Sequence, residues 1–132
     1  MASIISTPQV VVNNNPVAIK PNSFKFTEGR GETDVMTESA GGESIQTVFS
    51  EDATNRIAVF SFELYSTVDA VNLVSSWKLN RNQNVVFVGG TDSTTGATFE
   101  RSFTQAAVTN DPEYVLSSDG TTTVEWKSAP AV

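Results

Sequence analysis

The residues that could perform chemistry are few, because the chain contains no histidine and no cysteine. These absences remove the commonest general base, the commonest transition-metal ligands and every thiol nucleophile. Paired carboxylates occur at Glu51-Asp52 and across Asp111-Pro112-Glu113, where a glycosidase-like role would need a cleft around them. Asp and Pro favour turns, so we interpret both pairs as turn residues.

The remaining candidate motifs also fail to indicate catalysis. Gly29-Arg30-Gly31 lacks the lysine and the following helix of a phosphate-binding loop, so it predicts a bend. Serine and threonine are plentiful, yet the spacing Gly-x-Ser-x-Gly does not occur. The residue types therefore predict a protein that is not an enzyme and that has no catalytic, cofactor-binding or metal site.

Four aromatic residues could form a sugar-stacking platform, namely Trp77, Trp126, Tyr65 and Tyr114. Trp77 lies on an apolar helical stripe, and Trp126 alternates with Val124 in a strand pattern. Both patterns favour a position in the core over an exposed platform.

Composition predicts one β-rich domain over residues 1–132. The chain has 17 valines against four leucines, and valine favours strands. Eight basic and 15 acidic residues give a net charge of −7, the wrong sign for a nucleic-acid binder. The longest apolar runs have four residues, and the first twelve carry no basic region, so we expect neither a membrane span nor an export signal.

Hydrophobic periodicity predicts short strands and one helix at about residues 67–80. Ser66 or Thr67 can cap this helix, and Asp69 favours its positive end. The predicted strands are Val10–Val12, Val17–Lys20, Ser23–Thr27, Ser44–Ser50, Arg56–Tyr65, Val85–Val88, Ala97–Val108 and Thr121–Lys127. Because a short polar linker separates Ser44–Ser50 from Arg56–Tyr65, we expect these two to pair. The fold class is a β-sandwich or partial β-barrel with one flanking helix and a long hairpin arm.

The predicted core joins a strand face to a helix stripe. The strand contributes residues at every second position and the helix residues three or four apart. Its members are Ala58, Phe60, Phe62, Leu64, Val71, Val74 and Trp77. Residues 1–9 and 128–132 are small, polar or proline-containing, and we expect flexible extensions there.

The segment 27–43 is long for a loop within one domain, and such segments are often functional. Within it Glu32, Asp34, Met36 and Glu38 would share one face of an extended strand. Two interpretations stand: a solvated flexible loop, or a hairpin arm whose acidic face lines an assembly.

The order of these patterns resembles that of the bacteriophage tail tube proteins. The likeness rests on the runs Phe26–Gly29 and Ala40–Glu43, on Phe60-Ser61-Phe62-Glu63-Leu64, and on Thr67–Trp77 followed by Asn80-Arg81-Asn82. It covers about residues 17–90. The resemblance implies a β-sandwich with a flanking helix, six subunits per ring joined into a continuous barrel, and rings stacked into a tube that conducts the genome.

The resemblance also implies partners and a place. The partners are further copies of the chain and other tail proteins, such as a sheath, a tape measure, and a baseplate or terminator. The place is the virion tail, assembled in the host bacterial cytoplasm. DNA would pass through without specific binding, and Glu28, Glu32, Asp34 and Glu38 are the candidate lumen-facing residues. The alternative for these carboxylates is ordinary exposure to solvent.

A second hypothesis comes from a different class of protein. An acidic β-sandwich could be a carbohydrate- or protein-binding module or a capsid decoration protein. Such a module would stay monomeric and present an exposed aromatic patch, whereas a tube subunit would form rings or filaments.

Overall fold

The computed structural model describes residues 8–30, 33–40, 44–51 and 56–132. The fold is mainly β with one helix, as predicted. In chain order the elements are β1 (Gln9–Val12), β2 (Asn15–Val17), β3 (Lys25–Thr27), β4 (Thr33–Ala40), β5 (Ser44–Glu51), β6 (Ala58–Tyr65), α1 (Val68–Leu79), β7 (Asn84–Thr91), β8 (Thr98–Val108) and β9 (Thr121–Ser128).

Seven strands form one antiparallel sheet in the order β2-β1-β7-β8-β9-β6-β3. Strand β8 is shared, because its first part pairs with β7 and its last two residues pair with β9. The sheet therefore has a first half on the β7 side and a second half on the β9 side. Phe103 of β8 stacks on Phe60 of β6 with ring centroids 4.3 Å apart. The two halves thus face each other across one core, as in a sandwich or an unclosed barrel.

The core is built from the alternating faces of these strands and one face of the helix. Of the predicted core residues, six are buried and only Val71 is partly exposed. Ala70 takes an inward position on the helix in addition to Val74 and Trp77. Further buried side chains come from β1, β7, β8 and β9: Val10, Val12, Val86, Val88, Phe103, Ala106, Val108, Val124 and Trp126.

Helix α1 begins with the predicted cap. The Thr67 side chain accepts a hydrogen bond from the backbone N–H of Ala70, and Asp69 lies in the first turn. The ring of Trp77 meets Phe62 edge-on at 6.1 Å and Trp126 at 5.4 Å. These aromatic contacts hold the helix against the second half of the sheet.

A buried amide joins the end of the helix to strand β8 and to the β1–β2 turn. Asn84 is fully buried, and the two N–H groups of its Nδ2 are shared among the carbonyls of Trp77, Arg81 and Ala106, at N···O distances of 3.0, 3.0 and 3.1 Å. Its Oδ1 accepts from Asn13 Nδ2 at 2.9 Å. The side chain therefore connects the end of α1, strand β8 and the β1–β2 turn.

Strand β8 changes partner beside this amide. The register between β7 and β8 shifts between Asn84 and Val86, as in a β-bulge. Gln105 has a φ of 51°, a backbone conformation that single bulge residues adopt and that bends the strand. The bend carries β8 from the first half of the sheet to the second.

The predicted pairing of Ser44–Ser50 with Arg56–Tyr65 is wrong. Strand β5 pairs instead with β4 in a two-stranded sheet of its own, and β6 pairs with β3 and β9. The physical reason is burial, since one whole face of β6 is buried and both of its edges are paired within the main sheet. We refer to the β4–β5 pair as the arm hairpin.

The last residues, 128–132, are predicted as a flexible extension, and the structure holds them against the sheet. Ser128 ends β9, and the backbone N–H of Ala129 donates to Thr104. Val132 and Ser102 exchange two backbone hydrogen bonds of 3.0 Å, and Ala131 is buried. At the other end of the chain, residues 1–7 lie outside the described residues, and Gln9 begins β1.

Replacing Phe62 with alanine should lower the free energy of unfolding by about 3–5 kcal/mol, because a fully buried aromatic ring is lost. Urea denaturation followed by tryptophan fluorescence measures the change, since both tryptophans are in the core. Tyr65→Ala on the exposed face is the control and should cost far less. Equal stability of the Phe62 variant and the wild type would contradict the register of β6.

Replacing Asn84 with alanine should cost about 2–4 kcal/mol, because several backbone carbonyls lose their donor in a buried place. The control is Asn80→Ala, since Asn80 is exposed and contributes one 3.3 Å hydrogen bond to the same side chain. Thermal unfolding of both variants gives the comparison. Similar melting temperatures for the two would show that the buried amide is dispensable.

Candidate assembly surface

The net charge of the chain is concentrated in one segment. Residues 31–55 contain six of the 15 acidic residues and none of the eight basic ones. The rest of the chain therefore has nine acidic and eight basic residues and is close to neutral. The arm hairpin lies within this segment and forms a sheet separate from the main one.

The register of the arm hairpin places two predicted lumen residues in one strand. Asp34 is opposite Ser50 and Glu38 is opposite Gln46. Both belong to β4, at positions separated by four residues, and such positions share a face of a strand. Glu32, another of the four predicted lumen-facing residues, lies outside the described residues.

Glu28 is part of an ion-pair cluster. Its Oε1 accepts a hydrogen bond of 2.6 Å from Nε of Arg101, and its Oε2 lies 3.4 Å from Nε of Arg30. The hydrogen bond from Arg101 holds the pKa of Glu28 below its ordinary value, against a smaller opposing effect of desolvation. Glu28 thus has two cationic partners.

Sequence reasoning missed Arg101 as a functional residue. Arg101 and Glu28 are 73 positions apart, and the pattern around Arg101 is that of an ordinary strand. Val88, which is buried, is the residue opposite Arg101 in β7, so the arginine lies on the inward side of the sheet. No local signal could have identified this side chain as the partner of Glu28.

The two outer strands of the main sheet differ in their free edges. Pro16 is the middle residue of β2, and it has no N–H to donate to a further strand. At the opposite edge, β3 lies beside a cleft of about 230 Å³ lined by Lys25, Phe26, Thr27, Val59, Phe60 and Ser61. This cleft is formed by β3 together with its paired neighbour β6. An outer strand without proline, such as β3, is the kind of edge to which another strand can be added.

The aromatic platform predicted as an alternative does not form. Trp77 and Trp126 are 2% and 0% exposed, so neither can stack on a sugar. Tyr65 is half-exposed, and Tyr114 packs against the core with its hydroxyl 3.5 Å from Ser75 Oγ.

A serine three residues before a lysine is a spacing found in some enzymes with a serine nucleophile, and Ser75 and Lys78 of α1 have this spacing. Its lysine amine is engaged elsewhere, since Nζ donates to the carbonyl of Val108 at 3.1 Å and to that of Asn110 at 2.8 Å. These bonds tie the end of the helix to the segment after β8. Lys78 thus has a structural role, and the spacing does not indicate catalysis.

The described residues contain no group of three or more His, Cys, Asp or Glu side chains placed to hold a metal ion. Within the same part of the chain, no helix has the length and apolar character needed to cross a membrane.

The fold is shared with proteins of contractile injection systems. A chain of the sheath–tube complex of an extracellular contractile injection system, PVC, in its extended state superposes with a TM-score of 0.56 at 8% identity, over 99% of this chain and 90% of that chain. A chain of the anti-feeding prophage cap, the AFP tube terminating cap, gives 0.54 at 8% identity, over 96% and 87%. No protein-family model and no curated protein sequence matches the chain.

The lowered pKa of Glu28 predicts a pH-dependent contribution to stability. A carboxyl group whose pKa is lower in the folded state stabilises the fold at neutral pH and loses this effect as the pH falls through the folded value. Glu28→Gln should therefore melt below the wild type at pH 7, and the difference should vanish in acid. Glu113→Gln in an exposed loop serves as the control. A difference in melting temperature that persists at low pH would contradict the ion-pair explanation.

Proposed function

We propose that this chain is the subunit of a phage-tail-like tube. Copies join side by side into closed rings, six to a ring as the sequence resemblance implies, and the rings stack. The observation that carries the proposal is the fold, shared over nearly the whole chain with proteins of the PVC sheath–tube complex and the AFP tube cap. The role is structural, and it requires no cofactor.

The sheet edges support self-association. An open edge pairs readily with another chain, and closure of a ring removes such edges. The β3 edge is better suited than the β2 edge to pair with a further strand, because Pro16 of β2 has no N–H to donate. A neighbouring copy that adds a strand at β3 would also cover the apolar cleft beside Phe26 and Val59.

The acidic arm supports a channel lining. Glu32, Asp34 and Glu38 are the proposed lumen residues, whereas Glu28 is already paired with Arg101. Like charge keeps DNA from adhering to the wall. At physiological ionic strength the screening length is about 8 Å, so the repulsion acts only on backbone that comes close to the wall.

The partners follow from this role. In a phage tail the tube would contact a tape measure inside, a baseplate and a terminator at its ends, and a sheath where the tail is contractile. The subunit would be made in the host bacterial cytoplasm and would end in the virion tail. DNA would traverse the channel during ejection without specific binding.

Assembly is tested directly with the purified full chain. We expect rings or tubes in negative-stain images and a rising sedimentation coefficient as the protein concentration increases. A variant that lacks Arg30–Ala40 should fold, as judged by tryptophan fluorescence, but should remain monomeric. A wild-type chain that stays monomeric at every concentration would contradict the proposal and favour a binding module.

The lining is tested with charge-reversed tubes. Glu32, Asp34 and Glu38 are replaced together by lysine, and the protein is assembled in the presence of duplex DNA at low salt. The matched control replaces the exposed acidic residues Asp111, Glu113 and Asp119 by lysine. If the arm lysines line the channel, the DNA that they bind lies inside the tube and should be protected from nuclease. DNA bound by the control lysines lies on the outer surface and should be digested. Digestion in both cases would place the arm carboxylates outside the channel.

A further inference from the structure

Two of the four leucines in the chain are exposed to water over most of their surface. Leu79, the last residue of α1, is 81% exposed, and Leu116, in the segment between β8 and β9, is 80% exposed. Val68, the first residue of α1, is 78% exposed. Single exposed apolar residues are common, whereas a group of them marks an interaction site. The neighbours of these side chains in the fold show which of the two cases applies.

Leu116 lies near the start of the helix, as Val68 does. The N–H of Ser66, just before α1, donates a 3.0 Å hydrogen bond to the carbonyl of Gly120. Gly120 packs directly against the carbonyl oxygen of Val115 and leaves no room there for a Cβ. The residue that follows Val115 is therefore held beside the start of the helix. We refer to residues 66–69 and 115–116 as the front surface.

A second exposed surface lies at the other end of the helix, beside the β1–β2 turn. Leu79 ends α1, and Val85, which is also exposed, is the second residue of β7. The N–H of Val85 donates to Oδ1 of Asn13 at 2.9 Å, and its carbonyl accepts from the N–H of Asn13 at 2.9 Å. We refer to residues 13–14 and 79–85 as the rear surface. The twelve residues of α1 place the two surfaces about 18 Å apart.

Each surface combines exposed apolar side chains with one charge, and the two charges are opposite. The front surface contains the exposed Asp69 and no base, whereas the rear surface contains the exposed Arg81 and no acid. Two front surfaces in contact would bring like charges together, as would two rear surfaces. A front and a rear surface in contact bring opposite charges together and cover apolar side chains on both sides.

We propose that the front surface of one copy binds the rear surface of the next, and that this head-to-tail contact joins stacked rings. The contact removes Leu79 and Leu116 from water together and pairs Arg81 with Asp69. Because the two surfaces differ, the contact repeats in one direction, as the stacking of rings requires. The inference rests on the proposed function, in which the β3 edge joins copies within a ring, and it assigns the contact between rings to a different part of the subunit.

The first test uses the absence of cysteine from the chain. Leu79→Cys and Leu116→Cys are made as separate variants, mixed, and oxidised at the concentration at which the wild type forms tubes. A disulfide forms only where the two Cα atoms approach within about 7 Å. The mixture should give a cross-linked dimer on a non-reducing gel, and each variant alone should remain a monomer. The control mixture of Thr98→Cys, at an exposed position in β8, with Leu116→Cys should not cross-link.

The second test changes the charges and follows assembly by negative-stain microscopy. Arg81→Glu should still form rings but should need about tenfold more protein to form tubes, since a like-charge contact replaces an attractive one. Combining Arg81→Glu with Asp69→Lys restores opposite charges and should restore tubes at the wild-type concentration. Lys127→Glu, an exposed change of the same sign outside both surfaces, is the control and should leave stacking unchanged.

The outcomes distinguish this inference from the proposed function. Wild-type tubes whose cysteine mixture does not cross-link, or whose single variants cross-link as efficiently as the mixture, would overturn the head-to-tail contact alone. Arg81→Glu tubes that form at the wild-type concentration would do the same. A wild-type chain that forms neither rings nor tubes would overturn both the contact and the tube proposal.

Discussion

The buried side chain of Asn84 is the interaction on which the rest of the architecture depends. Its amide satisfies carbonyls from the end of α1 and from β8, and its oxygen accepts from the β1–β2 turn. Leaving these groups unpaired in the core would be costly, because buried polar groups lose their bonds to water. The same place holds the bulge that turns β8 from one half of the sheet to the other. One amide thus fixes the junction between helix, turn and sheet.

The aromatic core follows from that junction. Once β8 bends, Phe103 faces Phe60, and Phe60 in turn stacks on Trp126 at 5.5 Å. Trp77 of the helix then meets both Trp126 and Phe62. A continuous aromatic cluster therefore fills the space between the halves of an unclosed sheet, whose outer strands are β2 and β3 among the described residues.

The charge of the chain is distributed unevenly between the segment 31–55 and the remaining residues. The main sheet has nearly balanced charges, which permits close approach of further copies without strong repulsion. Residues 31–55, which include the arm hairpin, carry six acidic residues and no basic one, whereas the nearby carboxylate of Glu28 is paired with Arg101. A nearly neutral body with an acidic segment is compatible with the tube subunit that we propose.

Local chemistry in the sequence determined the elements. Periodicity located most of the strands and the buried face of β6. Ser66 and Thr67 were the two candidates for the start of the helix, and Thr67 is the cap. Alternation in residues 32–38 left two interpretations open, a flexible loop or a hairpin arm, and the structure pairs β4 with β5 as a hairpin. Only the tertiary structure decided which strands pair. Strand β6 pairs with β3 and β9, and these pairings depend on the arrangement of the whole sheet. It alone brought Arg101 to Glu28, since a contact across 73 residues depends on the path of β8 and leaves no local pattern.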